Sequence, residues 1–193
     1  MRSQEQKNLK IYDNMGWRVS FYKADKDKPI KFITEDYGDG ETYTYAEING
    51  ECVANNQGTE FWIALKRDEE FQKEIKCLHE HSDFDYYSIT KEGFKRIILA
   101  YRERIIEYQK QALQNAKDCK LFEDTPRSLI ESELREWESS YKDKDGNIHY
   151  FCIDLHDNKR VSGSCKYKYA IFDMIYVYKN FDWDNYTMVV FGG

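Results

Sequence analysis

Apolar residues recur along this chain with two periods, and the changes from one to the other sketch a fold. The clearest run is Thr90 to Cys119. There Phe94, Ile97, Tyr101, Ile105, Tyr108, Ala112, Ala116 and Cys119 fall three or four positions apart. That spacing lays them on one stripe of an α-helix. Thr90 suits the N-cap, because its hydroxyl can accept from a first-turn N–H. At ~1.5 Å per residue such a helix spans roughly 40 Å. No other run in the chain is as long or as regular.

Before this helix the period is two. Trp17 to Lys23 sets Trp17, Val19 and Phe21 against Arg18, Ser20 and Tyr22, the pattern of a half-buried strand. Ile30 to Thr34 and Glu41 to Ile48 are two more strands, with Tyr37-Gly38-Asp39-Gly40 as the turn between them. Asn49-Gly50 turns into a short strand, Glu51 to Ala54, and Asn55 to Gly58 turns into Glu60 to Lys66. This third of the chain reads as an antiparallel meander. Asp68 to His79 returns to helical spacing through Phe71, Ile75 and Leu78, with Asp68, Glu69 and Glu70 where the helix dipole favours acids. Ser82 to Ser88 is a loop or short strand.

Beyond the long helix, Thr125-Pro126 opens a shorter one whose stripe is Leu129, Ile130, Leu134, Trp137 and Tyr141. Residues 144–147 make a hairpin turn into a strand from Ile148 to Leu155. Asp157 to Arg160 turns again, Lys166 to Tyr178 is one long strand or two, and Tyr186 to Phe191 is a final apolar strand after the turn at Phe181 to Asn185. Strands, then helices, then strands predict an α+β fold: an antiparallel N-terminal β-meander, a central long amphipathic helix plus two shorter helices, and C-terminal antiparallel strands. The 193 residues suit a single domain, with lobes at 1–89 and 90–193.

Composition adds a class. Charged residues reach 33%, but 16 Tyr and 11 Phe supply far more aromatic surface than a disordered chain carries. Met1 to Lys10 has no apolar segment of a secretory leader, and no run approaches the ~18–20 residues that span a bilayer. Five cysteines, an odd number without paired spacing, fit thiols in a reducing cytosol. The expected location is therefore cytoplasmic, with no membrane partner. Abundant Lys, Asn, Tyr and Ile, all with A/T-rich codons, point to a low-GC bacterium or its phages.

Charge changes the picture more. Between Phe32 and Leu65 stand Glu35, Asp36, Asp39, Glu41, Glu47, Glu51 and Glu60, and no Lys or Arg. The chain carries −6 and this window −7, which leaves the rest at +1. On Glu41 to Ile48 the strand period groups Glu41, Tyr43, Tyr45 and Glu47 on one face. Tyrosines give contact area at low entropic cost, and acids steer a cationic partner. The expected partner-binding set is Glu35, Asp36, Tyr37, Asp39, Glu41, Tyr43, Tyr45 and Glu47, and its expected partner is a basic protein surface, such as the nucleic-acid groove of a host defence enzyme. The bland alternative is a solvated sheet face with two core-facing tyrosines. The long helix is basic instead, with Lys91, Lys95, Arg96, Arg102, Arg104, Lys110 and Lys117 against Glu92, Glu103, Glu107 and Asp118. Those cations are scattered around the helix rather than aligned, which disfavours direct nucleic-acid binding. The stripe itself also suits a homodimer seam.

Catalytic signals are weak. Cys152, Asp154 and His156 share a face if Ile148 to Leu155 and the next residue form one strand, and such a set can ligate zinc or form a Cys–His pair. Strand spacing of ~6.5–7 Å is too wide for one metal without further ligands. Cys77, His79 and His81 form a second, equally loose group. Glu74-Ile75-Lys76 has the ExK form of some metal nucleases, though on a helical pattern, and residues 142–148 echo a calcium loop without its first and last ligands. GxGxxG, P-loop, GxSxG and HExxH are all absent. The expectation is a non-enzymatic binding protein without a cofactor, an inhibitor or accessory protein of a phage or mobile element. The rivals are a Cys/His-dependent or metal-binding enzyme and a nucleic-acid binder.

Overall fold

The structure, a computed structural model, describes residues 18–36, 38, 40, 42–47, 52–57, 65, 67–79, 85–115, 127–150, 153 and 168–192. Its elements are β1 (Arg18–Asp25), β2 (Lys31–Asp36), β3 (Thr42–Glu47), β4 (Cys52–Gln57), α1 (Glu69–Gln72), β5 (Ile75–His79), β6 (Asp85–Ile89), α2 (Lys91–Asn115), α3 (Arg127–Glu138), β7 (Ser140–Lys142), β8 (Ile148–Tyr150), α4 (Lys168–Asn180) and β9 (Tyr186–Gly192). This is the α+β class that the pattern predicts. Two compact units divide the chain: residues 1–97 with 180–193, and residues 98–179.

The first unit is built on a five-stranded sheet in the order β4-β1-β9-β6-β5, antiparallel at every junction. β9 occupies the centre, and its Met188, Val189 and Val190 are all fully buried. Successive strand residues point to opposite faces, so three buried in a row require cover on both. On one face Phe21 meets Phe94 of α2 edge-on, ring centroids 5.2 Å apart, and Trp183 lies 5.8 Å from the same ring. On the other face Ala24, Tyr86 and Val189 form a cluster that the β2–β3 hairpin covers with Phe32 and Ala46.

Tyr86 fastens that hairpin. Its ring stacks on Phe191 at 4.6 Å and meets Phe32 edge-on at 5.4 Å. Its hydroxyl accepts the Ala46 N–H at 3.1 Å. Burial holds the phenol above its ordinary pKa, partly offset by that bond. Phe32 also stacks on His79 at 4.5 Å.

The start of α2 follows the expected cap. The Thr90 hydroxyl accepts the Gly93 N–H at 3.1 Å and donates to the Glu74 carboxylate, while the Thr90 N–H reaches the Glu74 carbonyl at 3.0 Å. Gly93 is buried here, and a Cβ on it would sit 2.7 Å from Ile89 Cγ1 and 2.8 Å from Glu74 Cβ.

In the second unit the body of α2 buries Ile98, Tyr101, Ile105, Ile106 and Ala112. Gln109 donates to Glu133 of α3 at 3.3 Å, Lys110 pairs with Glu138 at 2.6 Å, and Trp137 lies 6.3 Å from Phe172 of α4. β7 and β8 form a separate small hairpin.

Several expectations need correction. The N-terminal strands are antiparallel as expected, and β2–β3 is a sequential hairpin, but it forms a sheet of its own while β1 pairs with β4 and β9. Sequential pairing would leave β9 without its neighbour. The helix over Asp68 to His79 shrinks to α1, because Asp68 caps Phe71 and the chain then extends at Ile75 to pair with β6. Asn55 to Gln57 belong to β4, where pairing with Arg18 to Ser20 overrides their turn preference. Lys168 to Asn180 is helical, not extended. Ile171, Met174, Ile175 and Tyr178 keep helical spacing, which the β-branched and aromatic residues between them obscured. In α3 only Ile130 and Trp137 are fully buried; Leu129 is exposed, and Tyr141 is exposed on β7. Of the strand expected from Ile148 to Leu155, Ile148–Tyr150 is extended as β8, whereas Ile153 is helical and buried. The expectations at Trp17, Asn49-Gly50, most of Glu60 to Lys66, Ala116, Cys119, Thr125-Pro126 and Asp157 to Arg160 lie outside the described residues.

Two stability outcomes follow. Tyr86→Phe leaves the Ala46 N–H without its acceptor, an expected loss of about 1 kcal/mol in urea unfolding with faster amide exchange at Ala46. Unchanged exchange at Ala46 contradicts the fastening role. Gly93→Ala sets a helix-propensity gain of about 1 kcal/mol against overpacking of about 1–3 kcal/mol. Glu74 Cβ is fixed to its backbone and cannot swing aside, so a net loss is expected, and a stabilised variant rules out the tight packing.

Candidate functional site

The acidic hairpin presents two unlike faces. The register Lys31↔Glu47, Phe32↔Ala46, Ile33↔Tyr45, Thr34↔Thr44, Glu35↔Tyr43 and Asp36↔Thr42 runs without a shift. Phe32 and Ala46 face the sheet, with the Thr34 and Thr44 hydroxyls 2.8 Å apart beside them. By alternation Lys31, Ile33, Glu35, Tyr45 and Glu47 share the outer face. Tyr45 therefore does not point into the core, against the bland alternative. Its hydroxyl donates to the Glu35 carboxylate at 3.1 Å.

The charge on this surface is only lightly compensated. Lys31 Nζ stands 4.0 Å from Glu47, with the two side chains 74% and 50% exposed. A pair so wet and so long contributes about 0–1 kcal/mol and screens readily with salt. Glu35 and Asp36 are exposed, and Asp36 accepts the Gly38 N–H at 2.8 Å. Gly38 and Gly40 take φ of 88° and 86°, the left-handed region that made Gly the expected residue in this turn. Of the expected partner-binding set, Glu35, Asp36, Tyr45 and Glu47 are thus brought together on one hairpin, with the Tyr43 backbone in register opposite Glu35. Tyr37, Asp39 and Glu41 lie outside the described residues.

The long helix uses its cations differently. Arg104 pairs with Glu107 at 2.9 Å and Lys110 with Glu138 at 2.6 Å. Arg102 is buried, pairs with Glu103 and lies over the Tyr150 ring at 4.7 Å. Among the described residues, Arg102 Nε and Gln109 Oε1 are buried without a hydrogen-bond partner. These two polar residues stand seven positions apart, one step beside the apolar stripe. The sequence signal for their burial was that spacing, masked by their polarity.

The chemical alternatives gain little geometry. Cys152, Asp154 and His156 lie outside the described residues. Cys77 is exposed on β5, and His79 is stacked on Phe32. The Ile75-Lys76 part of the ExK pattern is on a strand after all, but the Glu74 carboxylate takes the Thr90 hydroxyl. Among the described residues no three His, Cys, Asp or Glu side chains gather as metal ligands. No described helix is long and apolar enough to cross a membrane.

The turn once compared with a calcium loop is closed by its own groups. Asp143 accepts from the Asp145 and Asn147 N–H groups at 2.9 Å, from Asn147 Nδ2 at 3.0 Å, and pairs with His149 Nε2 at 3.0 Å. Tyr141 stacks on His149 at 5.0 Å. The His149 contact, then the Asn147 bonds, hold the Asp143 carboxyl far below its ordinary pKa.

Comparisons of the chain with protein-family models, curated proteins and solved structures return no match.

A carboxyl depressed in the folded state stabilises above its unfolded pKa and loses that contribution as pH falls through the folded value. The β7–β8 hairpin is therefore expected to hold from neutral pH down to about pH 4 and to loosen only in stronger acid. Amide exchange at Asn147 measures this. Asp143→Ala should expose that amide at every pH, and a protected Asn147 in the variant disproves the assignment.

Proposed function

We propose that this chain is a non-enzymatic acidic binding protein, and that its β2–β3 hairpin contacts a basic surface of another protein. A nucleic-acid-binding groove, such as that of a host defence nuclease, is the class of target that suits it, with inhibition by occlusion as the outcome. The observation that carries this reading is the outer face of the hairpin. Glu35 and Glu47 are exposed there beside Tyr45, Asp36 is exposed at the end of β2, and the only described internal cation on them is Lys31 at the 4.0 Å limit. An acidic face left to solvent, around an aromatic anchor, is the form that steers and then holds a cationic partner. The pairing of Arg104 and Lys110 within the second unit supports a structural role for the basic helix, in preference to phosphate contact.

The test is kinetic. The full chain is immobilised, a partner is captured from the native host and identified, and its association rate is measured on wild type and on Glu35→Lys/Glu47→Lys. The double reversal should slow association by about tenfold or more at low salt, with thermal stability almost unchanged. A partner without a basic surface, or equal association rates, refutes the reading.

A further inference from the structure

Among the described residues, the hairpin that the proposed function relies on also has an open backbone edge. In an antiparallel pair, alternate residues exchange both ladder bonds, and those between them turn their N–H and C=O outward. The Ala46 N–H is bonded to Tyr86, outside the hairpin. The Phe32↔Ala46 pair is therefore of the outward kind, and so by alternation are Thr34↔Thr44 and Asp36↔Thr42. The short Thr34–Thr44 hydroxyl contact of 2.8 Å agrees, since side chains approach most closely in such pairs.

The two outer edges differ. That of β3 is occupied at Ala46 by Tyr86, and Thr44 is buried. Along β2 the outward groups of Phe32, Thr34 and Asp36 meet no backbone partner among the described residues, and Thr34 is exposed. Natural sheets blunt exposed edges with bulges. The five-stranded sheet does this at both ends: the β1–β4 ladder shifts register at Phe21/Tyr22, and the β5–β6 ladder at Cys77/His79. β2–β3 has no such shift over six pairs, and Pro29 stands outside the strand. Among the described residues, what guards this edge is charge, in a stretch from Phe32 to Leu65 that holds seven acids and no Lys or Arg.

We propose that the outer edge of β2 is a strand-docking edge, which takes an extended lysine- or arginine-bearing segment of a protein partner. This rests on the reading of the hairpin as the contact surface. Backbone bonds to Phe32, Thr34 and Asp36 supply the pairing. A Lys or Arg opposite Glu35, on the outer face, supplies a cross-strand charge pair. The same acids repel a second copy of β2, so the edge accepts a cationic strand and rejects itself.

The probe is a synthetic peptide of alternating lysine and threonine, and its twin N-methylated through the central residues. The twin keeps every charge and side chain but lacks the amide donors. Binding to the full chain is measured at low salt. Wild type should bind the plain peptide and bind the twin roughly tenfold more weakly or worse. Thr34→Pro removes one outward N–H while sparing the ladder bonds of Ile33 and Glu35, so it should weaken binding similarly. Thr34→Val keeps that N–H and should bind like wild type. If Thr34→Pro does not fold, the comparison of the twins on wild type still decides. Equal binding of both peptides, abolished only by Glu35→Lys/Glu47→Lys, overturns the docking edge and leaves the charged face standing. No binding of the plain peptide overturns the docking edge too.

Discussion

The first unit depends on one requirement: β9 must be kept dry on both faces. Met188, Val189 and Val190 leave no polar side to turn toward water. Each face therefore needs its own cover, and the chain supplies two unlike ones. The first turns of α2 close one side through Phe94, fixed in place by the Thr90 cap and by the close approach that a glycine at position 93 permits. The β2–β3 hairpin closes the other through Phe32 and Ala46. At ~25 cal/mol per Å² of apolar surface removed from water, aromatic residues are efficient covers, which gives a reason for so many in so charged a chain.

The location of the acids follows from this division of labour. A hairpin recruited as a lid has one face committed to the sheet and one free to differ. Phe32 touches Tyr86 and His79 on the inner face, whereas Glu35 and Glu47 gather outside with Tyr45. The basic helix has the opposite economy, with Arg102 drawn into the interior of the second unit against Tyr150 and Glu103. The acids of the hairpin are thus presented to solvent, while one cation of the helix, Arg102, is internalised.

Much of the architecture was legible in the sequence because it is local. The N-cap at Thr90, the turns at Gly38, Gly40 and Gly146, and the strands β1, β2, β3 and β9 all follow from residue type and spacing. Partner choice was not legible. Nothing in residues 18–25 announces that they pair with residues 186–192 rather than with the nearest hairpin, because long-range pairing is decided by which faces need cover. The α4 helix was misread for a related reason: Ile171, Ile175 and Val177 are good strand formers, and burial around a helix hides the alternation that separates the two states. Of the contact surface, the charge pattern was visible. The Tyr86 bond that orients the hairpin, and so determines which edge stays open, depends on a residue forty positions away from Ala46.

The central place of β9 also fixes the order in which the first unit can be completed. Asp25 pairs with Tyr186 and Tyr86 with Phe191, so β1 and β6 meet only through a strand that leaves the ribosome after all of residues 98–179. The second unit, whose described contacts are closer in sequence, has time to organise first. Until β9 arrives, β1 and β6 each lack a neighbour, and the apolar residues meant to flank it stand open to solvent during synthesis. A chain built in this way is slow to close, and those waiting strands are an aggregation hazard during biogenesis that the finished sheet removes.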